Sequence, residues 1–285
     1  MPTDGETADD DLLRKAISKR LRIRQTLRMS QFTSVFAASL FALSLSVAQA
    51  DEAPKPKYGP EATPVSRSHE YLQKAAAPDY WALSPYYLSQ KTGGSCSVAS
   101  VATVMNGLRA SQALTADDEL VTEETLLKKS ADKDWAARVG HGSVLSTLMA
   151  MATKKGGVTL DLLGKNIETA LKAYGFTDLK VDVVHADQAD AATLAKLKTT
   201  LEQNEKSAQD FMIINFEQGK LTGDTGGGHI SPIGAYDAKA DKVLVMDVDR
   251  QWYEPYWTSS KALLDSMATP DSESKRNRGY VWIHR

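Results

Sequence analysis

Cysteine is nearly absent: Cys96 is the only one among 285 residues. That excludes an intramolecular disulfide and any metal site built from cysteines alone. Histidine is scarce too, with five, and no His-x-x-x-His or Cys-x-x-Cys spacing occurs, so a dedicated metal site has no support. Neither sign of charge dominates. A formal net charge of −2 gives no electrostatic case for nucleic acid as a partner. No internal repeat is visible, and the one long uncharged run lies near the N-terminus. With 42% hydrophobic and 25% charged residues, the composition is that of an ordinary globular protein.

Residues 1–50 read as a signal peptide rather than part of a fold. Seven Lys/Arg lie between Arg14 and Arg28, then 21 uncharged residues run from Ser30 to Ala50 and end in the small-x-small pattern Ala48-Gln49-Ala50. Five serines and a threonine inside that run argue against a permanent span, with an uncleaved anchor as the alternative. Export to the periplasm is the expected address. The acidic stretch from Asp4 to Asp11 is unusual for such a signal, so either the signal is unusually long or, as we favour, the true start lies between Met1 and Met29. Residues 51–78, proline-rich at first, are expected to form an extended linker, with the folded domain over 79–285.

Within 79–285, helical patterns come first: Ser97 to about Leu108, Ala116 to Ser130, 143–152, and Thr159 to Tyr174, which Gly175 stops. Strand patterns follow at Lys180–Val184, Phe211–Phe216 and Gly279–His284, with a surface helix over Asp187–Asn204. His229–Tyr236 and Lys242–Asp247 flank a polar turn and read as a hairpin. The order predicts an α+β fold, a helical half followed by a strand-rich half with a cleft between them. An aromatic cluster (Tyr80, Trp81, Tyr86, Tyr87) precedes Gln90 and is expected to pack in the core or wall the site.

Cys96 follows Gly93 and Gly94 and opens the first helical stretch. A helix N-terminus favours a thiolate, the reactive form of cysteine. The glycines would permit a sharp turn that leaves backbone amides near the reacting atom. A small, inert, buried cysteine is an equal alternative on this stretch alone. The hairpin adds a partner. If its turn centres on Ala238, His229 and Asp247 lie directly opposite each other on one face, and the aspartate can orient the imidazole. A one-residue error in the turn would put them on opposite faces. His69, His141, His185 and His284 read as solvated or structural residues.

Several blocks together resemble the phytochelatin synthase catalytic domain. They are Gln90-x5-Cys96 with Val98-Ala99-Ser100 and Met105-Asn106, Gly227-Gly228-His229-Ile230-Ser231-Pro232, Met246-Asp247-Val248-x-Arg250, Tyr253-x-Pro255-x-Trp257, and Asp271-x6-Arg278-Gly279. The resemblance spans about Leu83 to His284. It implies a papain-like fold, with a helical N-terminal lobe and an antiparallel-sheet C-terminal lobe, and a cysteine acyltransferase that acts on glutathione. Cys96 would be the nucleophile, His229 the base and acid, Asp247 its orienter, and Gln90 an oxyanion donor beside the Cys96 amide. Asp271 and Arg278 would hold the γ-glutamyl amino and carboxylate groups, and Arg250 would touch the acyl acceptor. The resemblance implies no tightly bound cofactor, with heavy-metal ions such as Cd2+ and Zn2+ expected to arrive as glutathione thiolates; a homodimer is an admissible assembly.

The implied product is γ-glutamylcysteinyl transferred to water or to a second thiol peptide. Ser97 departs from the family's glycine, the interval from Cys96 to His229 is long, and no cysteine-rich domain follows the last strand. That form is similar to bacterial members, in which hydrolysis predominates. Two other classes fit the residues: a papain-like peptidase on other peptides, and a non-catalytic binder of thiol peptides or metal thiolates.

Overall fold

The computed structural model describes residues 56–285, apart from 142–143, 146–147, 149–151 and 153–155. The expected signal peptide lies outside the described residues, as does most of the helix expected over 143–152.

Seven strands build one antiparallel sheet: β1 (Thr63–Pro64), β2 (Lys180–His185), β3 (Phe211–Glu217), β4 (Gly228–Asp237), β5 (Lys242–Val245), β6 (Tyr256–Ser259) and β7 (Gly279–His284). Their spatial order is β1-β6-β5-β4-β3-β7-β2, which places β4 at the centre. The apolar run of β3 explains why both faces of the sheet are covered. Phe211 and Ile213 join one core cluster, and Met212, Ile214 and Phe216 join the other. A strand with both faces buried needs apolar residues at every position rather than alternate ones.

Helices cover the two faces. On one lie α3 (Cys96–Arg109), α4 (Glu123–Ser130) and α6 (Leu160–Ala173). On the other lie α7 (Ala191–Asn204) and α9 (Ser260–Met267). The fold is therefore α+β, as the pattern predicts. Residues 54–285 nevertheless form one unit, so the helical and strand-rich halves are not separate bodies.

Four local expectations are corrected. First, the helix expected from Ser97 begins at Cys96 itself, and all fourteen residues of α3 are buried. A helix enclosed on every side must satisfy its polar groups internally. Asn106 does so by a reciprocal pair with the backbone of Val121, and Ser97 Oγ accepts from Trp135 Nε1 at 3.0 Å. Second, the described part of the 51–78 linker belongs to the fold. Ala62 and Leu72 are buried, β1 pairs with β6, and short helices α1 (Glu70–Lys74) and α2 (Pro78–Leu83) follow. Proline there starts and ends elements rather than keeping the chain apart. Third, the second expected helix is shorter, because Thr122 closes a capping box with Thr125 and residues 116–121 stay outside α4. Fourth, α5 (Lys133–Arg138), α8 (Gln218–Thr222), β6 and α9 were not expected at all.

Candidate active site

Cys96 is the first residue of α3 and is buried. The helix crosses β4, where Ser100 Oγ donates to the Ile230 carbonyl at 3.0 Å. That bond lies one turn beyond Cys96 and one residue beyond His229, so it brings the two together at the start of the strand. His229 Nε2 meets Asp247 Oδ1 at 2.7 Å. The ring's other nitrogen, Nδ1, is thereby left for Cys96, whose side chain interacts with the imidazole.

Asp247 reaches His229 by a different route from the one the sequence suggested. The hairpin turn centres between Lys239 and Ala240 rather than on Ala238: Asp237 pairs with Lys242, Tyr236 with Val243 and Ala235 with Leu244. Continued unbroken, that register would put Asp247 opposite Pro232 and on the wrong face for His229. A bulge between Ile233 and Ala235 shifts the pairing by one, to Ile233 with Val245, and the Met246 amide then donates to the Pro232 carbonyl at 2.9 Å. Asp247 consequently falls opposite Ser231, on the face that carries His229, as its diagonal neighbour. Gly234 sits at the bulge, where a Cβ would come within 2.8 Å of the Met246 side chain.

Asp247 is fully buried, yet its carboxylate accepts four hydrogen bonds. Oδ1 takes His229 and the Asp249 amide at 2.9 Å, and Oδ2 takes Gln218 Nε2 at 2.9 Å and the Tyr256 hydroxyl at 3.0 Å. Burial alone would raise its pKa, but the charge and hydrogen bond of His229 hold it below the usual carboxylate range. The reverse holds for His229. Burial disfavours the imidazolium, and the Asp247 charge overrides burial to push the ring well above the ordinary histidine range. The Asp247 charge thus favours an imidazole that holds a proton beside Cys96. Gln218 and Tyr256, which complete the partners of Asp247, carried no signal in the sequence.

The segment before Cys96 is fixed by side chains rather than by glycine. Neither Gly93 nor Gly94 has a positive φ. Ser95 Oγ accepts from the Lys91 and Thr92 amides, both at 3.0 Å, and folds the segment back on itself. Beneath it lies Glu123, buried at 1% exposure. One of its oxygens accepts from the Lys91 amide at 3.0 Å and Ser95 Oγ at 3.1 Å, and the other meets His141 Nε2 at 2.6 Å. His141, expected as a solvated or structural residue, has the structural role: it is the partner of a buried carboxylate that anchors the segment leading to Cys96.

A cleft of about 370 Å3 opens over the dyad, lined by Gln90, Gly93, Gln218, Gly228, His229 and Asp249, among others. The Gln90 amide donates to the Val248 carbonyl at 2.8 Å, so its side chain is placed from the Asp247 segment. Arg278 is buried directly behind the cleft wall. A Cβ on Gly228 would meet its guanidinium at 2.9–3.0 Å, Nη1 donates to Thr269 and Pro270, Nη2 pairs with Glu217, and Nε has no partner among the described residues. Asp271 does not line the cleft, and its carboxylate accepts from the Glu273 and Ser274 amides in a turn. Arg250 points elsewhere too. It donates to the Tyr87 carbonyl at 2.8 Å, and its guanidinium lies 4.4 Å above the Tyr87 ring. Among the described residues, no group of three or more His, Cys, Asp or Glu is arranged to hold a metal ion.

A thiol, an imidazole and a carboxylate in contact, with an amide side chain at the rim, form an arrangement that can carry out acyl transfer through a covalent intermediate. Comparison with known proteins points the same way. The family model described as "Phytochelatin synthase" matches residues 64–280. The glutathione gamma-glutamylcysteinyltransferase of Schizosaccharomyces pombe is 25% identical over 221 residues, 74% of this chain and 45% of that protein. Glutathione gamma-glutamylcysteinyltransferase 1 of Arabidopsis thaliana is 26% identical over 220 residues, 76% of this chain and 39% of that protein. Glutathione gamma-glutamylcysteinyltransferase 2 of the same plant is 34% identical over 102 residues, 36% of this chain and 22% of that protein. The chain spans less than half the length of these curated relatives.

Proposed function

The chain belongs to the phytochelatin synthase family, and from that premise we propose that it is a glutathione γ-glutamylcysteinyltransferase that works through a thioester on Cys96. The observation that carries this reading is the placement of a buried His229 between Cys96 and an ionised Asp247. A protein that only binds thiol peptides has no need of such a dyad, so the geometry favours a catalyst over a binder.

The reaction has two halves. His229 takes the Cys96 proton, and the thiolate attacks the carbonyl of the Cys–Gly bond. The oxyanion is stabilised by the Gln90 side chain and by the Cys96 amide, which as the first amide of α3 has no partner inside the helix. Collapse breaks the C–N bond, the imidazolium protonates the departing glycine, and γ-glutamylcysteinyl stays on sulfur. In the second half an acceptor gives its proton to His229, attacks the thioester and expels the Cys96 thiolate. Asp247 keeps the ring oriented and charged when required throughout.

Donor recognition is assigned to Arg278, whose buried guanidinium stands behind Gly228 with Nε unused; Arg grips carboxylates through paired N–H groups. Asp271 stays in this reading as the partner of the γ-glutamyl amino group, provided its turn turns toward the cleft. Heavy-metal ions enter as thiolates of the substrate. The papain-like fold is the matching architecture, with its catalytic domain extended N-terminally from 79–285 to take in the β1 strand and the short helices before residue 79. Export directed by residues 1–50, a periplasmic address and assembly as a homodimer are expectations carried from the sequence.

The test is direct. The full chain is incubated with glutathione, with and without Cd2+, and products are identified by mass spectrometry. Glycine together with γ-glutamylcysteine or its oligomers is the expected result, and Cys96→Ala should abolish all of them. No release of glycine under any condition overturns the reading. Cleavage of longer peptides with glutathione left intact would favour a peptidase instead.

A further inference from the structure

Asp249 is the one carboxylate on the cleft whose presence the dyad does not explain. Its backbone is fixed on both sides: its amide donates to Asp247 Oδ1 at 2.9 Å, and its carbonyl accepts from the Trp252 and Tyr253 amides, each at 2.9 Å. The side chain is therefore held at the cleft by a rigid turn. It faces the Gln90 side-chain amide and lies within electrostatic reach of His229, the two groups that flank the reacting carbonyl. Partial burial raises its pKa, while the charges of His229 and Lys57 and a hydrogen bond from Gln90 act against that rise. A half-buried carboxylate at the rim of a reaction cleft is a place where a ligand cation gains and water gains little. Its neighbour Arg250, which the sequence offered as an acceptor contact, is engaged by Tyr87 outside the cleft.

We propose that Asp249 forms the acceptor subsite of this cleft, binding the ammonium group of an incoming amine and thereby deciding whether the acyl group on Cys96 passes to an amine or to water. The inference rests on the acyl-enzyme reading above and adds to it the chemical class of the acceptor, a primary amine that is cationic in solution.

The step balances as follows. The bound ammonium loses one proton to water at the cleft mouth, and the amine nitrogen attacks the thioester carbonyl with its lone pair. A C–N bond forms, the C–S bond breaks, and the electron pair leaves on Cys96 as thiolate. The remaining extra proton on nitrogen passes to His229, so the enzyme returns to a thiolate–imidazolium pair.

The experiment measures partition rather than speed, because the ratio of products from one intermediate does not depend on how fast it forms. The full chain and its Asp249→Asn and Asp249→Glu variants are given glutathione, and the ratio of γ-glutamylcysteinyl oligomer to γ-glutamylcysteine is measured. Hydroxylamine, uncharged near neutral pH, is supplied in parallel as an amine that needs no anionic partner, and hydroxamate is measured against γ-glutamylcysteine. Loss of a charge-assisted contact predicts that Asp249→Asn lowers the oligomer ratio about tenfold or more. Asp249→Glu should recover part of it, and the hydroxamate ratio should stay within about twofold. An unchanged oligomer ratio, or equal loss of both ratios, overturns the acceptor subsite and leaves Asp249 as a support for Gln90. Glycine release by the wild-type chain without any oligomer or hydroxamate also overturns it, while leaving the hydrolytic half of the reading intact. Absence of glycine release overturns that reading and the inference with it.

Discussion

Asp247 and Asp79 are both carboxylates with no solvent exposure, and they have opposite fates. Asp247 receives four hydrogen bonds and an imidazolium, and its pKa falls. Asp79, on α2, receives one amide, from Asn204 Nδ2, while its Oδ1 has no partner among the described residues. Its pKa rises well above the carboxylate range because of burial, with Glu205 and Asp210 adding like charge. Burial is common to both, so burial does not decide charge. What decides is whether donors and a cation were built around the group. Asp247 is equipped to be ionic, and Asp79 is a neutral acid that faces an amide.

The comparison breaks most severely at its charged end. Asp247→Asn removes the countercharge of the imidazolium, so glycine release should fall by about three to four orders of magnitude in kcat/KM. Its alkaline limb should move to lower pH, because the Asp247 charge is what holds His229 high. Activity within tenfold of wild type would show that the dyad is not in use.

Removing one donor at a time gives smaller steps. Tyr256→Phe and Gln218→Met each take one hydrogen bond from Asp247 Oδ2. Each should cost about tenfold in kcat/KM with the fold intact, as judged by thermal unfolding. A third buried carboxylate, Glu123, tests whether the approach segment matters as much as the dyad. Glu123→Gln weakens the hold on Lys91 and Ser95 and should slow alkylation of Cys96 by iodoacetamide about threefold to tenfold. An unchanged alkylation rate with unchanged turnover would make Glu123 a support of stability alone.

Asp79→Asn is expected to have the smallest effect on turnover, within about twofold, but a diagnostic effect on stability. Because the folded pKa of Asp79 is raised, the stability it contributes is fully present below its unfolded value and is lost as pH rises. The difference in Tm between variant and wild type should therefore grow in the variant's favour between pH 4 and pH 8. For Asp247 the sign is opposite: its contribution is present above the unfolded value and disappears as pH falls. A Tm difference for Asp79→Asn that is flat across that range would remove the contrast.

What could be read from the chain was local. Cys96 at a helix start, the strand of His229 and the β3 run of Phe211–Phe216 announce themselves through neighbouring residues. The stop at Gly175 does as well, since it takes a positive φ while the Phe176 amide closes on Leu171. The partnership of His229 with Asp247 was also legible, although the count that led to it was not correct. The turn falls after Asp237, and the bulge at Gly234 restores the face by shifting the register once more. Two departures cancelled. Contacts across long intervals stayed hidden: Gln218 and Tyr256 on Asp247, Glu123 beneath Lys91, and Tyr58 packed edge-on against Tyr253 and Tyr256. Composition suggested a free linker around Tyr58, because proline content describes what a segment does alone and not the pocket waiting for its aromatic ring.

The bulge also divides the β4–β5 hairpin into two lengths that can change separately. The exposed tip, residues 238–240, lies beyond the last strand pairs, so added or altered residues there lengthen a loop and leave the dyad in place. The tip is thus a natural point for a tag, a reporter or an inserted peptide. Losing one residue between Ile233 and Ala235 is a different change. The sheet, the helices and most of the core could reassemble, yet the Asp247 carboxylate would emerge toward α3, and a folded protein would lack its charged dyad.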